Sequence, residues 1–185
     1  VKLKGGEAVE EFSSFVNPGI PIPEAITRLT GITDDMVKDA PNIKEVMPAF
    51  IDFMGGLPAV AHNAGFDMGF IRHNAQKLGL EVENPVVDTL ELSRKLFPKL
   101  RRHKLNVVAG HLGVRLDNHH RAIHDTRALA EIFTRCLELL RDRGLSNLRD
   151  VNGAFDHDDS FKKAQTFHAI LLVKNQKGLK NLYRL

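Results

Sequence analysis

The 185-residue sequence holds a single cysteine, Cys136, so an intrachain disulfide and a cysteine-built metal cluster are both excluded. Any bound metal would have to take oxygen or imidazole ligands. No apolar run approaches the ~18–20 residues needed to cross a bilayer, and the opening VKLKGGEAVEEF has no secretory pattern. The expectation is a soluble, cytoplasmic protein with no membrane partner. A glycine-rich phosphate loop of the Walker or dinucleotide type is absent, as is any internal repeat. What is present is a globular mixture, 43% hydrophobic and 26% charged, with 26 Lys+Arg against 23 Asp+Glu and a formal net charge of +3. That is apolar enough to bury a core and too apolar for a disordered tail. The positive charge is uneven: Arg94, Lys95, Lys99, Arg101, Arg102 and Lys104 follow one another with no intervening acid. Such a stretch reads either as a solvated face or as a contact for phosphate or nucleic acid.

Strand and helix signals alternate along the chain. Val1 to Leu3 and Glu10 to Val16 read as two strands joined through Gly5-Gly6, which tolerate the positive φ of a hairpin turn. The connector NPGIPIP forbids regular helix until about Glu24, and the run that follows stops at Gly31, with Thr33 placed to cap another turn. Ile43, Val46, Met47, Phe50, Ile51 and Met54 have helical spacing, and Pro48 among them predicts a late start or a kink. LPAVAHN reads as a buried strand, followed by a helix from Asp67 to Leu78 and a strand end at PVVDT. Helices are predicted over Thr89 to Phe97, Lys104 to Leu112 and about Arg121 to Arg143, the last burying Ile123, Leu129, Ile132, Phe133, Cys136, Leu137 and Leu140. Strands mixed with helices imply an α/β layered domain. Past Gly144 the texture turns polar, and the segment HAILLV then reads as a strand of a further element pair.

Two strings carry the residues suited to chemistry: AHNAGFD, ending at Asp67, and HHRAIHD, ending at Asp125. In α/β sheets ligand-binding groups gather at the carboxyl ends of strands, which is where Asp67 falls. Carboxylates from separate elements suit hard divalent cations, and a nearby histidine of near-neutral pKa can take a proton from water. Paired ions of this kind promote in-line displacement at phosphorus. Each residue also has a plainer reading: Asp67 as a helix N-cap, Asp88 as a cap in preference to an outer-shell acid, and Asp125 as a first-turn acid favoured by the helix dipole.

Taken together, AHNAGFD, the His-x4-Asp of His120 and Asp125, the connector LTGITDDMV and the string HKLNVVAGHLGV resemble, in order and spacing, the DEDDh 3′-5′ exonucleases, a branch of the ribonuclease H-like fold. The resemblance implies a mixed sheet flanked by helices over residues 1–144. It further implies that Asp67 and Asp125, with two further acids of the family's first motif, hold two Mg²⁺ or Mn²⁺ ions and that His120 is the general base. Thr30, Gly31, Ile32, His62, Asn63 and Phe66 would form the substrate-binding set. The tail FHAILLVKNQKGLKNLYRL resembles part of the PHP (polymerase and histidinol phosphatase) domain of bacterial replicative polymerases, which places a linker at 145–166 and a partial PHP segment at 167–185. The implied function is proofreading at single-stranded or frayed 3′ DNA ends, beside the rest of a polymerase chain and replisome subunits such as the sliding clamp. An RNA-trimming member of the family, or a binding module without catalysis, are the alternatives. The family's first motif, Asp-x-Glu on the central strand of the sheet, does not occur in these residues. The expectation is therefore an N-terminally truncated piece, inactive in isolation.

Overall fold

The structure is a computed structural model that describes residues 1–116 and 122–144. The chain opens with a hairpin in which β1 (Lys2–Lys4) pairs antiparallel with β2 (Glu7–Glu10), Lys4 opposite Glu7, leaving Gly5-Gly6 as the loop. Both glycines have positive φ, 62° and 91°, as primed hairpin turns require. The second strand ends at Glu10 and does not run on to Val16 as predicted. The chain is diverted there because the Phe12 ring packs between those of Phe50 and Phe53, at centroid distances of 5.6 and 5.5 Å. Just before it, Glu11 accepts from both Nε and an Nη of Arg127 at 2.7 and 2.6 Å, tying this segment to the helix that carries Arg127.

After the prolines come α1 (Glu24–Thr30), α2 (Asp34–Val37) and α3 (Ile43–Met54). Gly31 ends α1 in the left-handed conformation, as expected. Thr33 occupies the cap position of α2, but its side chain makes no capping bond. α3 does not wait for Pro48. Asn42 and Glu45 form a reciprocal capping box that starts the helix at Ile43 and carries Pro48 inside it.

β3 (Ala59–Ala61), α4 (Ala64–Lys77) and β4 (Val86–Asp88) form a strand–helix–strand unit whose strands pair in parallel, Ala59 with Val86 and Ala61 with Asp88. α5 (Thr89–Leu96), α6 (Leu105–Leu112) and α7 (Ala122–Asp142) follow, with α7 packed on α5 and α6. α7 buries Ala128, Ile132, Cys136 and Leu140, a row at intervals of four, together with Phe133. Ile123, Leu129 and Leu137, expected in the core, are only half-buried on the flanks of that row. Val108 of α6 and the polar pair Thr89 and Ser93 of α5 complete the fully buried centre.

The strands have the mixed sense expected of the fold but, among the described residues, they form two separate pairs, since no described strand bridges β1 to β3. No described helix is long and apolar enough to cross a membrane. The described residues all belong to one unit, Val1–Ser146. The expected linker at 145–166 and the segment at 167–185, like His119 and His120, lie outside the described residues.

Candidate active site

The parallel pair sets the site. With Ala61 opposite Asp88, the carboxyl ends of β3 and β4 emerge side by side, the position where polar groups converge in open α/β sheets. Asp88 organises the two helix starts beyond them. Its Oδ1 accepts from Leu90 N–H at 2.9 Å and from Asn63 N–H at 3.0 Å, and its Oδ2 accepts from Ala64 N–H at 3.0 Å. One carboxylate thus caps α5 and also satisfies amides at the start of α4, where two helix dipoles present their positive ends. Asn63, the cap residue of α4, is left-handed at φ 69°, a conformation that asparagine tolerates better than most residues. The cap role favoured for Asp88 from sequence is present. Its reach to a second helix has no local sequence signal.

Because Asp88 supplies those acceptors, α4 begins at Ala64 and not at Asp67. Asp67 is consequently not the helix cap but a first-turn residue, just past the carboxyl end of β3. The residue as a whole is exposed. Desolvation raises its pKa above the ordinary carboxylate value; its own backbone N–H opposes the rise and the negative charge of Asp88 adds to it.

His62 is held at both ring nitrogens. Nε2 donates to the carbonyl of His103 at 2.7 Å, and Nδ1 lies 3.0 Å from Thr89 Oγ1. With Nε2 as donor, the neutral ring accepts at Nδ1 from the Thr89 hydroxyl. The same hydroxyl lies 3.2 Å from the Ala61 carbonyl, so it can serve only one of the two at a time. Burial is the main cause lowering the His62 pKa; the His103 bond and Asp88 oppose it, while the charges of His103 and Arg94 add to it. Ser93, buried beneath, donates to Leu90 O at 2.8 Å and meets His103 Nδ1 at 3.2 Å. The basic stretch is therefore tethered at His103 to the end of β3. Within it Arg94 pairs with Glu91 at 2.9 Å, while Lys99, Arg101, Arg102 and Lys104 stand exposed.

Of the other predicted residues, Phe66 is exposed on the first turn of α4. Thr30 and Ile32 line an open apolar groove of about 360 Å³ with Phe15, Ile20, Ile22 and Ile26, at the end of α1. The Thr30 hydroxyl donates to Ile26 O at 2.8 Å and accepts from Ile32 N–H at 3.2 Å, so it helps close the helix around the left-handed Gly31. Asp125 occupies the first turn of α7, half-buried. Among the described residues no three His, Cys, Asp or Glu side chains are grouped to hold a metal ion. The Asp67 carboxylate is an oxygen donor of the kind a hard cation takes, whereas the Asp88 oxygens are already engaged by backbone amides. Sequence reasoning missed Thr89 and His103 as partners of His62, and neither carries a motif that would have marked it.

Fold and site define an α/β domain of the ribonuclease H-like class, with its polar groups at the carboxyl ends of parallel strands. Exonuclease X, solved in complex with 5′-overhanging duplex DNA, superposes with a TM-score of 0.61 at 25% identity, covering 75% of this chain and 79% of that one. The nuclease domain of 3′hExo, a DEDDh family member bound to rAMP, shares the fold with a TM-score of 0.59 at 22% identity, covering 73% of each chain. The chain belongs to the exonuclease family RNase_T, which it matches over residues 1–133. It is 49% identical to the DNA polymerase III PolC-type of Caldanaerobacter subterraneus subsp. tengcongensis and 46% identical to that of Clostridium perfringens, in both cases over 186 aligned positions covering the whole chain. The chain spans 13% of the length of those relatives. Exonucleases of the DEDDh kind generally use divalent metal ions.

Proposed function

We propose that this chain belongs to the proofreading part of a PolC-type bacterial replicative DNA polymerase, whose intact polypeptide hydrolyses the 3′-terminal phosphodiester of DNA and releases 5′-mononucleotides. The observation that carries this reading is the span of the likeness. The exonuclease family match stops at residue 133, whereas identity to the polymerases covers the whole chain. A free-standing RNA-trimming exonuclease gives no reason for likeness to polymerases beyond the nuclease domain. The division into an exonuclease domain (1–144), a linker (145–166) and a PHP segment (167–185) follows from the same reading.

Asp67 and Asp125, with the two acids of the Asp-x-Glu motif that this sequence lacks, would hold two Mg²⁺ or Mn²⁺ ions. When bound, such ions supply Lewis-acid activation of water and neutralise charge at phosphorus. His120 takes the proton of the attacking water. The water oxygen bonds to phosphorus as the bond to the 3′ oxygen of the preceding nucleotide breaks, and that oxygen leaves with a proton from solvent. Phe66 stacks on the terminal base, and Thr30, Gly31 and Ile32 line its approach. His62 and Asn63 shape the pocket from behind, since both His62 ring nitrogens are engaged by the protein. The remainder of the polymerase chain and replisome subunits such as the sliding clamp are the proposed partners.

The test uses the polymerase polypeptide containing these residues and a 5′-labelled single-stranded DNA, with Mg²⁺ or with EDTA. Asp67→Ala, Asp125→Ala and His120→Ala should each slow release of 5′-mononucleotides from the 3′ end by at least ~100-fold, with primer extension retained. Unchanged cleavage in these variants would refute the assignment. The absence of Asp-x-Glu from the 185 residues favours a second reading, a binding module without catalysis. That reading expects DNA binding and no metal-dependent cleavage in the wild-type polypeptide.

A further inference from the structure

α4 buries Ala64, Met68 and Ala75 against the domain, and a different row of the helix faces outward. That row runs Phe66, Phe70, His73 and Lys77, all exposed, at steps that return to one side of a 3.6-residue helix. Phe66 and Phe70 leave 63% and 61% of their surface in water, and their rings meet edge to face with centroids 5.0 Å apart. Phe70 sits outside the buried stripe of α4, so packing among the described residues gives no reason for it to be aromatic. The edge-to-face contact orients the pair but leaves most of its apolar area uncovered.

The chemistry along the row identifies the occupant. Two aromatic rings are followed by an imidazole and an ammonium group, and after Asp67 the helix carries Arg72 and Lys77 with no acid. Flat apolar groups joined by phosphates match that order, as in single-stranded nucleic acid, whose bases stack on aromatic rings while its backbone meets cations. The row begins beside Asp67. From Phe66 to Lys77 it extends about 16 Å at ~1.5 Å per residue, room for up to about five stacked nucleotides at ~3.4 Å each.

We infer that the outer row of α4 is a track for the single strand. Phe70 stacks on the base next to the terminal nucleotide, and Lys77 meets a phosphate further along. The assignment rests on the exonuclease reading and extends its substrate site beyond Phe66.

The test measures fluorescence anisotropy of labelled dT12 with the 185-residue chain in EDTA, with dTMP as competitor for the terminal site. Phe70→Ala should weaken dT12 binding about tenfold while leaving dTMP affinity within about twofold. Phe70→Tyr and Phe70→Trp should restore dT12 binding, and Phe70→Leu should not, because stacking and not bulk is required. Lys77→Gln should reduce the slope of log K against log salt by about 0.7, the loss of one phosphate contact. Four results would overturn the track: no dT12 binding by the wild-type chain; dT12 binding unaffected by Phe70→Ala; equal weakening of dTMP and dT12, meaning that Phe70 only braces Phe66; or loss of self-association in Phe70→Ala with dT12 unchanged, meaning that a second copy covers the pair. If the track results hold while Asp67→Ala leaves 3′ cleavage intact, the track stands and the catalytic assignment fails.

Discussion

Asp88 gives the sharpest test of how the site is built. Asp88→Ala removes acceptors from three backbone amides at once, those of Asn63, Ala64 and Leu90. Loss of the α5 cap costs about 1 kcal/mol. Ala64 is 2% exposed, so its amide has little access to water, and leaving such a donor unpaired costs about 1–3 kcal/mol. The Asn63 amide belongs to an exposed residue, and water can replace much of its bond. The total is about 2–4 kcal/mol, which for a domain of this size corresponds to a fall in Tm of roughly 6–12 °C. Asp88→Asn should fall between: its oxygen can still serve Asn63 and Leu90, but its NH₂ would face the Ala64 N–H, donor against donor. That variant also removes the negative charge that helps raise the Asp67 pKa, so Asp67 should titrate at lower pH. Urea and thermal unfolding measure the first effect, and a carbon-13 NMR titration of the Asp67 carboxyl measures the second. An Asp88→Ala protein melting within about 1 °C of the parent would refute the double-cap reasoning.

Other consequences arise from the same geometry. His62 has its folded-state pKa below the ordinary value of 6.5, so the unfolded chain binds the proton first. Its contribution to stability should be complete above about pH 6.5 and decline as pH falls toward the folded pKa, a decline that urea midpoints at pH 7.5 and 5.5 should show and His62→Gln should flatten. Gly6→Ala should destabilise by at least about 1 kcal/mol, because the position has φ 91° and a Cβ would lie 3.1 Å from Thr134 Cγ2; chemical denaturation checks it against a control such as Gly65→Ala, where nothing lies within 4 Å. Burial raises the Cys136 thiol pKa to about 11, and the residue is 1% exposed. A disulfide reagent at pH 8 should therefore label it only as the protein unfolds, and rapid labelling of the native chain would contradict the packing of α7.

Local signals determined much of this protein. The helix after the proline connector, the stop at Gly31, the turn at Gly5-Gly6 and the central row of α7 all depend on backbone freedom or on helical periodicity, both carried by neighbouring residues. The strings around Asp67 and Asp125 likewise resemble those of exonucleases. Tertiary structure decided what depends on distant partners. α4 starts at Ala64 because Asp88, on another strand, accepts its first amides. His62 faces inward because Thr89 and His103 receive its ring, and β2 ends early because Phe12 finds Phe50 and Phe53. Hydrogen bonds and ring contacts across such separations in sequence leave no periodic trace, since a carboxylate or an imidazole acquires its role only from the groups that folding brings within about 3 Å of it.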